Sequence, residues 1–145
     1  MATHQPPGDV QITHPYTYIR VGNTQLAIRP ESDGALDPCV AIEADQLVPG
    51  GKQTSVWLTT EQARDLETAL AAEHATVTLT DHVGDALTIT LTSDEIAITV
   101  TRSAENDIQE PASVHMSLPT TCRTEVRAAL IAAADQSQQE AGISE

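Results

Sequence analysis

The stretch ALTITLTSDEIAITVT, residues 86 to 101, places an aliphatic residue at every second position on either side of a polar Ser93-Asp94 pair. A two-residue period is the pattern of a strand with one buried face. If Ser93-Asp94 is a two-residue hairpin loop, aliphatic residues meet across the two strands. These pairs are Leu91 with Ile96, Ile89 with Ile98, and Leu87 with Val100. The stretch therefore predicts an antiparallel hairpin with one aliphatic face and one threonine-rich face.

Two further turns agree with this pattern. The loop at residues 82–84, with Gly84 in the left-handed conformation, and the Gly22-Asn23 turn each bring aliphatic positions together. The predicted pairs are Leu79 with Leu87, Val77 with Ile89, Ile19 with Leu26, and Val21 with Thr24. A half-buried antiparallel sheet follows, with its polar face turned away from the core.

The chain shows the same order of elements twice. Strands are predicted at 16–21, 24–29, 39–44 and 54–58 and, in the second copy, at 76–80, 86–92, 95–102 and 113–118. A helix follows each set. The first opens with the capping-box pattern Thr59-Thr60-Glu61-Gln62, and the second opens with Pro119. The sequence thus predicts an α+β fold, a tandem ββββα duplication with a mostly antiparallel sheet and two helices packed on one face.

The predicted boundaries are a flexible N-terminal segment at 1–14, a single domain at 15–135 and a disordered tail at 136–145. The two repeats cover about 16–74 and 75–135. A unit of about 60 residues buries a smaller fraction of its surface than a larger domain does and is only marginally stable, so the two copies are expected to share a core. Either one eight-stranded sheet or two four-stranded halves packed as a pseudo-dimer satisfies the pattern.

The chain carries a strong negative charge. Its 21 Asp and Glu residues outnumber 7 Lys and Arg, for a formal net charge of -14. This charge repels phosphate backbones and anionic membrane surfaces, so direct nucleic-acid binding is not expected. We find no basic leader before an apolar run and no long apolar segment, so neither export nor membrane insertion is predicted. With only Cys39 and Cys122, the sequence indicates a cytoplasmic protein with free or buried thiols.

The polar side of the predicted sheet contains every aromatic residue of a chain that has no Phe. Exposed aromatic residues near an arginine are enriched where proteins bind one another. The candidate binding residues are Tyr16, Tyr18, Arg20, Trp57 and His115. Alternatively, loops or the N-terminal segment cover the aromatic rings, or the register is displaced by one residue. The threonine rows suit a solvated or partner-binding surface, because an ice-binding face would have to be flat and this sheet should twist.

Two motifs resemble functional sites at first sight. PGGKQTS, at 49–55, lacks the first glycine of a phosphate loop and has Gln53 where Ser or Thr is required. TDHVGD, at 80–85, gathers acidic and imidazole side chains that could touch a divalent ion. Hairpin tips are also rich in Asp and Gly for backbone reasons, which is the simpler interpretation. We therefore predict no enzyme activity, no catalytic residue, no metal site and no cofactor.

The segment VWLTTEQARDLETALAAE, at 56–73, resembles a strand-helix unit of small actinobacterial and actinophage proteins of unknown function. The resemblance implies a bacterial or phage origin. It implies no activity, partner or site residue.

Together these features predict a non-enzymatic binding or assembly module that uses the exposed face of its sheet. The expected partner is a protein, with a homodimer favoured. The alternative is an acidic decoy or inhibitor that occupies the basic, DNA-binding surface of another protein, which would require carboxylates clustered on one side. A third hypothesis, a small hydrolase or metal-dependent enzyme, would need a pocket lined by Asp81, His82 and Asp85 or by His115.

Overall fold

A computed structural model of the chain describes residues 9–13, 16–33, 37–81, 84–102 and 112–143. The strands in these ranges are β1 Asp9–Thr13, β2 Tyr16–Val21, β3 Thr24–Asp33, β4 Asp37–Gln46, β5 Gln53–Thr59, β6 Ala75–Thr80, β7 Ala86–Leu91, β8 Glu95–Arg102 and β9 Ala112–Pro119. The helices in the same ranges are α1 Thr60–Ala69 and α2 Arg123–Ile143, with a 3₁₀ turn at Thr120–Cys122 before α2. The fold class is therefore α+β.

The described strands form two separate antiparallel sheets. The first sheet has five strands in the order β1-β2-β3-β4-β5, and the second has four in the order β6-β7-β8-β9. Each strand pairs with its neighbours in the chain, as hairpin connections require. Of the two arrangements left open by the sequence, the separate sheets are the one observed, with β1 added to the first.

The observed register agrees with the predicted hairpins. In the second sheet Leu91 pairs with Ile96 and Ile89 with Ile98. The other predicted partners are also opposite each other: Leu87 with Val100, Leu79 with Leu87, Val77 with Ile89, Ile19 with Leu26, and Val21 with Thr24. Gly84 has a positive φ of 93°. The aliphatic positions of each described strand pair therefore share a face.

The hydrophobic core joins both sheets and both helices of the described chain. We call the sheet faces that contribute to it the inner faces. The first sheet supplies Ile19, Leu26, Ile28, Val40, Ile42, Val56 and Leu58, and the second supplies Leu87, Ile89, Leu91, Ile96, Ile98, Val100, Val114, Met116 and Leu118. The cluster contains no aromatic side chain among the described residues. Close packing therefore depends on aliphatic side chains, and full burial of each one stabilises the fold by about 1.5–3 kcal/mol.

Helix α1 begins with the predicted capping box. The Thr59 hydroxyl accepts a hydrogen bond from the Gln62 backbone N–H at 3.0 Å, and the Gln62 side chain accepts one from the Thr59 N–H at 3.0 Å. Both donors lack partners within the helix, so the two bonds define its start. Beyond the cap, Ala63, Leu66 and Leu70 are buried in the core.

Helix α2 extends through most of the segment that the sequence predicted to be a disordered tail. Its last residue is Ile143. Small side chains explain the difference, since Ser137 in this segment is buried, as are Ala133 and Ala134 one turn before it. The Ser137 hydroxyl donates to the Glu31 carbonyl of β3 at 2.9 Å. Buried small residues do not produce the helical periodicity of large apolar residues that predicts a helix from sequence.

Strand β1 lies inside the segment predicted to be flexible. Its residues pair with β2, Val10 opposite Ile19 and Ile12 opposite Thr17. Five residues with two aliphatic positions carry a weak alternation signal. The strand depends on a free edge of β2, which only the assembled sheet provides.

The edge of β5 is closed by side chains from the second sheet. The Trp57 backbone N–H donates to Asp81 Oδ2 at 3.1 Å. The Arg102 guanidinium donates to the Gln53 carbonyl. These contacts occupy backbone groups that would otherwise be open to another strand. They also join the two sheets at a defined position.

Candidate functional site

The face of the first sheet opposite the core is the candidate site, and we call it the outer face. The register places Tyr18 opposite Ala27, and Ala27 opposite Glu43. It also places Arg29 opposite Ala41, and Ala41 opposite Trp57. None of these described residues belongs to the core cluster. The outer face therefore carries aromatic and charged side chains around central alanines.

Trp57 and Tyr18 are half-buried on this face. Their strand neighbours Ile19, Val56 and Leu58 are 0% exposed on the inner face. The alternation of exposure along β2 and β5 confirms that the register is not displaced by one. On the outer face Ala27 is 2% exposed and Ala41 is 0% exposed, so larger neighbouring groups cover these two methyls.

Arg29 forms the charged centre of the outer face. Its Nε donates to Glu31 Oε2 at 3.0 Å, and its Nη1 donates to Glu43 Oε1 at 3.4 Å. Burial by itself lowers the pKa of Arg29, but the hydrogen bonds and charges of Glu31 and Glu43 outweigh burial and raise it. These three half-buried side chains thus form an ion-pair network in which the guanidinium of Arg29 is bonded to two carboxylates.

Asp45 is the least satisfied carboxylate on this face. Its Oδ1 atom is buried and has no hydrogen-bond partner. Burial raises the pKa of Asp45, and the negative charge of Glu43 raises it further, while Gln53 and Arg29 act in the opposite direction. The charged form of Asp45 is therefore disfavoured in the folded chain.

We expect Asp45→Asn to stabilise the fold at neutral pH by less than about 1 kcal/mol, because solvent screens a half-exposed group. The folded pKa lies above the ordinary value of 3.8, so ionisation weakens the fold as pH rises through that region. The stabilisation by Asp45→Asn should shrink when the pH falls below the ordinary pKa of 3.8, because Asp45 is then protonated in both the folded and the unfolded chain. Urea unfolding at neutral and acid pH measures it, with exposed Asp94→Asn as the charge-matched control. An equal gain for both variants at neutral pH would contradict a local effect at Asp45.

The structure brings together three of the five predicted binding residues. Tyr18, Arg20 and Trp57 share the outer face of the first sheet by register. The backbone of Tyr16 lies in β2, and its side chain is outside the described residues. His115 lies on β9 of the second sheet, whereas Trp57 lies on β5 of the first. The sequence could not separate these sites, because both lie on polar sides of strands.

Two exposed residues were missed by the sequence analysis. Leu47 and Val48 are 38% and 43% exposed, and they are the exposed large hydrophobic residues of the described chain. They lie in the turn between β4 and β5. The Leu47 N–H donates to the Asn23 carbonyl at 2.6 Å, so this turn lies against the β2–β3 turn that follows Arg20. An apolar pair just before Pro49-Gly50 was the available signal.

Hydroxyl groups pair across the outer side of the second sheet. Thr78 and Thr88 oxygens lie 3.3 Å apart, and Thr101 and Ser113 oxygens lie 3.0 Å apart. Thr99 Oγ1 lies 2.8 Å from His115 Nδ1. These cross-strand pairs satisfy groups on a pleated surface and stabilise the sheet. His115 is thereby part of a polar cross-strand pair on an exposed surface.

Between β6 and β7, the Asp81 carboxylate accepts hydrogen bonds from backbone N–H groups. One carboxylate oxygen of Asp81 accepts the Asp85 N–H at 3.0 Å, and the other accepts the Trp57 N–H. His82 lies outside the described residues. The observed bonds of Asp81 therefore match the turn interpretation. Among the residues described, no group of three or more His, Cys, Asp or Glu side chains is arranged to hold a metal ion.

The cysteines are Cys39 and Cys122. Both are buried, and they do not form a disulfide with each other. Burial raises the pKa of the Cys122 thiol, and the charge of Glu125 raises it further. A thiol in this state is a poor nucleophile.

No helix in the described part of the chain has the length and apolar character needed to cross a membrane. No family model matches this chain, and no curated protein is significantly similar to it. Functional proposals therefore depend on the geometry and chemistry of its own residues.

Proposed function

We propose that this protein is a non-enzymatic binding or assembly module that forms a homodimer through the outer face of its first sheet. The supporting observation is the position of Trp57 and Tyr18 on the side opposite the core. Large aromatic side chains, with arginine, supply most of the binding energy at protein interfaces. Arg20 is exposed on the same face, two residues from Tyr18 on β2, and completes the proposed set of contact residues.

Charge balance supports a second copy as the partner. Among described side chains, the outer face carries Arg20 and Arg29 against Glu31, Glu43 and Asp45. The chain as a whole has a formal net charge of -14. The described side chains of this face therefore carry both charge signs. In a two-fold dimer the same patch meets itself, and a face with both charge signs can be self-complementary.

The size of the face also suits an interface. Five strands spaced about 4.8 Å apart, with about 30 Å of length in the longest, give a face on the order of 600 Å². A standard interface buries about 800 Å² per partner. The exposed Leu47 and Val48 at one end of the sheet would extend the apolar contact.

We also infer that the two ββββα units arose by tandem duplication and that both helices pack on the same side of the sheets. The repeated element order supports this, as do the matching buried positions: Leu66 of α1 and Leu70 just after it, and Val126 and Leu130 of α2. A cytoplasmic location is part of the same proposal.

Sedimentation velocity at low and high salt tests the proposed homodimer. We expect a species of twice the 15.4 kDa chain mass, with a dimer fraction that is maintained or increased by salt. Salt screens the repulsion between two acidic chains while leaving apolar contacts in place. A monomer at all accessible concentrations and both salt levels would contradict the proposal.

The acidic decoy remains the second candidate, because acidic residues outnumber basic ones 21 to 7. It would bind a basic protein surface and release it as salt rises, the reverse of the salt response expected for the dimer. Several carboxylates already pair within the chain, as Asp135 does with Arg64 and Glu67 does with Arg127. A salt-sensitive complex formed by a monomer with a DNA-binding protein would favour the decoy.

A further inference from the structure

We propose that a cleft between the end of α1 and the start of α2 binds the phosphate group of a small phosphorylated molecule. The cleft has a volume of about 480 Å³ and is lined by Glu73, His74, Ser93, Thr120, Arg123 and Thr124. Small-molecule sites commonly span about 300–1,000 Å³. The volume therefore accommodates a phosphate together with the organic group that carries it.

Arg123 supplies the principal anion-binding group. Its side chain is half-buried, and its Nε atom is buried without a hydrogen-bond partner among the described residues. Three other half-buried arginines contrast with it, since Arg29, Arg64 and Arg127 each pair with carboxylates. The buried Nε is shielded from solvent, so the terminal guanidinium nitrogens are the groups proposed to pair with an external anion.

Hydroxyl and imidazole side chains line the same cleft. Ser93, Thr120 and Thr124 bring hydroxyl groups, and His74 brings an imidazole. Phosphate accepts several hydrogen bonds at once. A cleft lined by a guanidinium, hydroxyl groups and an imidazole therefore suits phosphate better than a halide ion.

Glu73 constrains the rest of the ligand. A carboxylate in the lining repels a second negative charge but accepts a hydrogen bond from a hydroxyl or amino group. The proposed ligand is therefore a phosphate monoester that bears a hydroxyl or amino group beside the phosphate.

Amide chemical-shift mapping of the wild-type chain tests the site directly. Inorganic phosphate and glycerol phosphate are titrated in parallel, with acetate at equal ionic strength as the carboxylate control. We expect saturable shifts confined to residues 73–74, 93 and 120–124, with glycerol phosphate binding more tightly than inorganic phosphate. Shifts of equal size with acetate, shifts elsewhere in the chain or an absence of saturation would overturn the proposal.

Arg123→Gln then tests the residue assignment. We expect at least a 10-fold weaker affinity for glycerol phosphate, since a charged hydrogen bond is lost. Arg20→Gln, which removes an exposed arginine from the first sheet, should leave the affinity unchanged. An equal affinity in Arg123→Gln and wild type would overturn the role of Arg123. If Arg123→Gln does not fold, His74→Gln replaces it, with a weaker affinity as the expected result and an unchanged affinity as the contrary one.

Discussion

Ile89→Asp is expected to unfold the domain. Ile89 is 3% exposed at the centre of the second sheet, between Val77 and Ile98 on the neighbouring strands. Removing a large buried aliphatic side chain costs about 2–5 kcal/mol, and burying an unpaired carboxylate adds several more. Domains of this kind are stable by about 5–15 kcal/mol in total, so the combined cost consumes most or all of the margin.

Thr90→Asp is the matched control for Ile89→Asp. Thr90 is the next residue on β7, it pairs with Thr76 and Ala97, and it is half-exposed on the opposite face. The same aspartate should cost about 1 kcal/mol or less there, mainly from its poor strand propensity. Far-UV circular dichroism and urea unfolding distinguish the two variants. A folded Ile89→Asp chain with wild-type stability would show that Ile89 faces water.

Trp57→Ala is expected to weaken self-association by about 30-fold or more while leaving the secondary structure intact. A tryptophan buried in an interface commonly contributes 2 kcal/mol or more, and about 1.4 kcal/mol corresponds to a factor of ten. The fold should persist because Trp57 lies outside the core cluster and its backbone, which donates to Asp81, is unchanged. Sedimentation equilibrium measures the dimer dissociation constant.

Two neighbours of Trp57 provide controls on the same strand. Ser55→Ala changes the same outer face two residues away and should alter the dissociation constant little. Val56→Ala, at a residue that is 0% exposed on the inner face, should cost about 2 kcal/mol of unfolding free energy with a small effect on association. If Trp57→Ala unfolds the chain or leaves association unchanged, the outer face is not the proposed interface.

The two-residue period determined much of the local structure. It predicted the strand positions, the hairpin registers around Ser93-Asp94 and Gly22-Asn23, and the side of the sheet on which Trp57 lies. Hairpin pairing is a local property, since adjacent strands joined by a short loop can align their aliphatic residues in few ways. The capping box at Thr59 is equally local, so the start of α1 was also predictable.

The candidate site was only partly predictable, because the pattern identifies a face but not the sheet to which it belongs. Trp57 and His115 both lie on polar sides of strands, yet they occupy different sheets. Leu47 and Val48 were missed because exposure in a turn depends on what packs beside it. The cleft around Arg123 joins α1, a hairpin turn and α2, so its residues are distant in sequence.

By itself, then, the sequence determined eight of the nine described strands, their pairing within hairpins and the face on which each side chain lies, because these follow from contacts between chain neighbours. The tertiary structure decided the separation into two sheets, the addition of β1 and the length of α2. Each of these depends on a surface that exists only after folding: the free edge of β2 for β1, and the β3 carbonyl and core side chains for the small residues of α2.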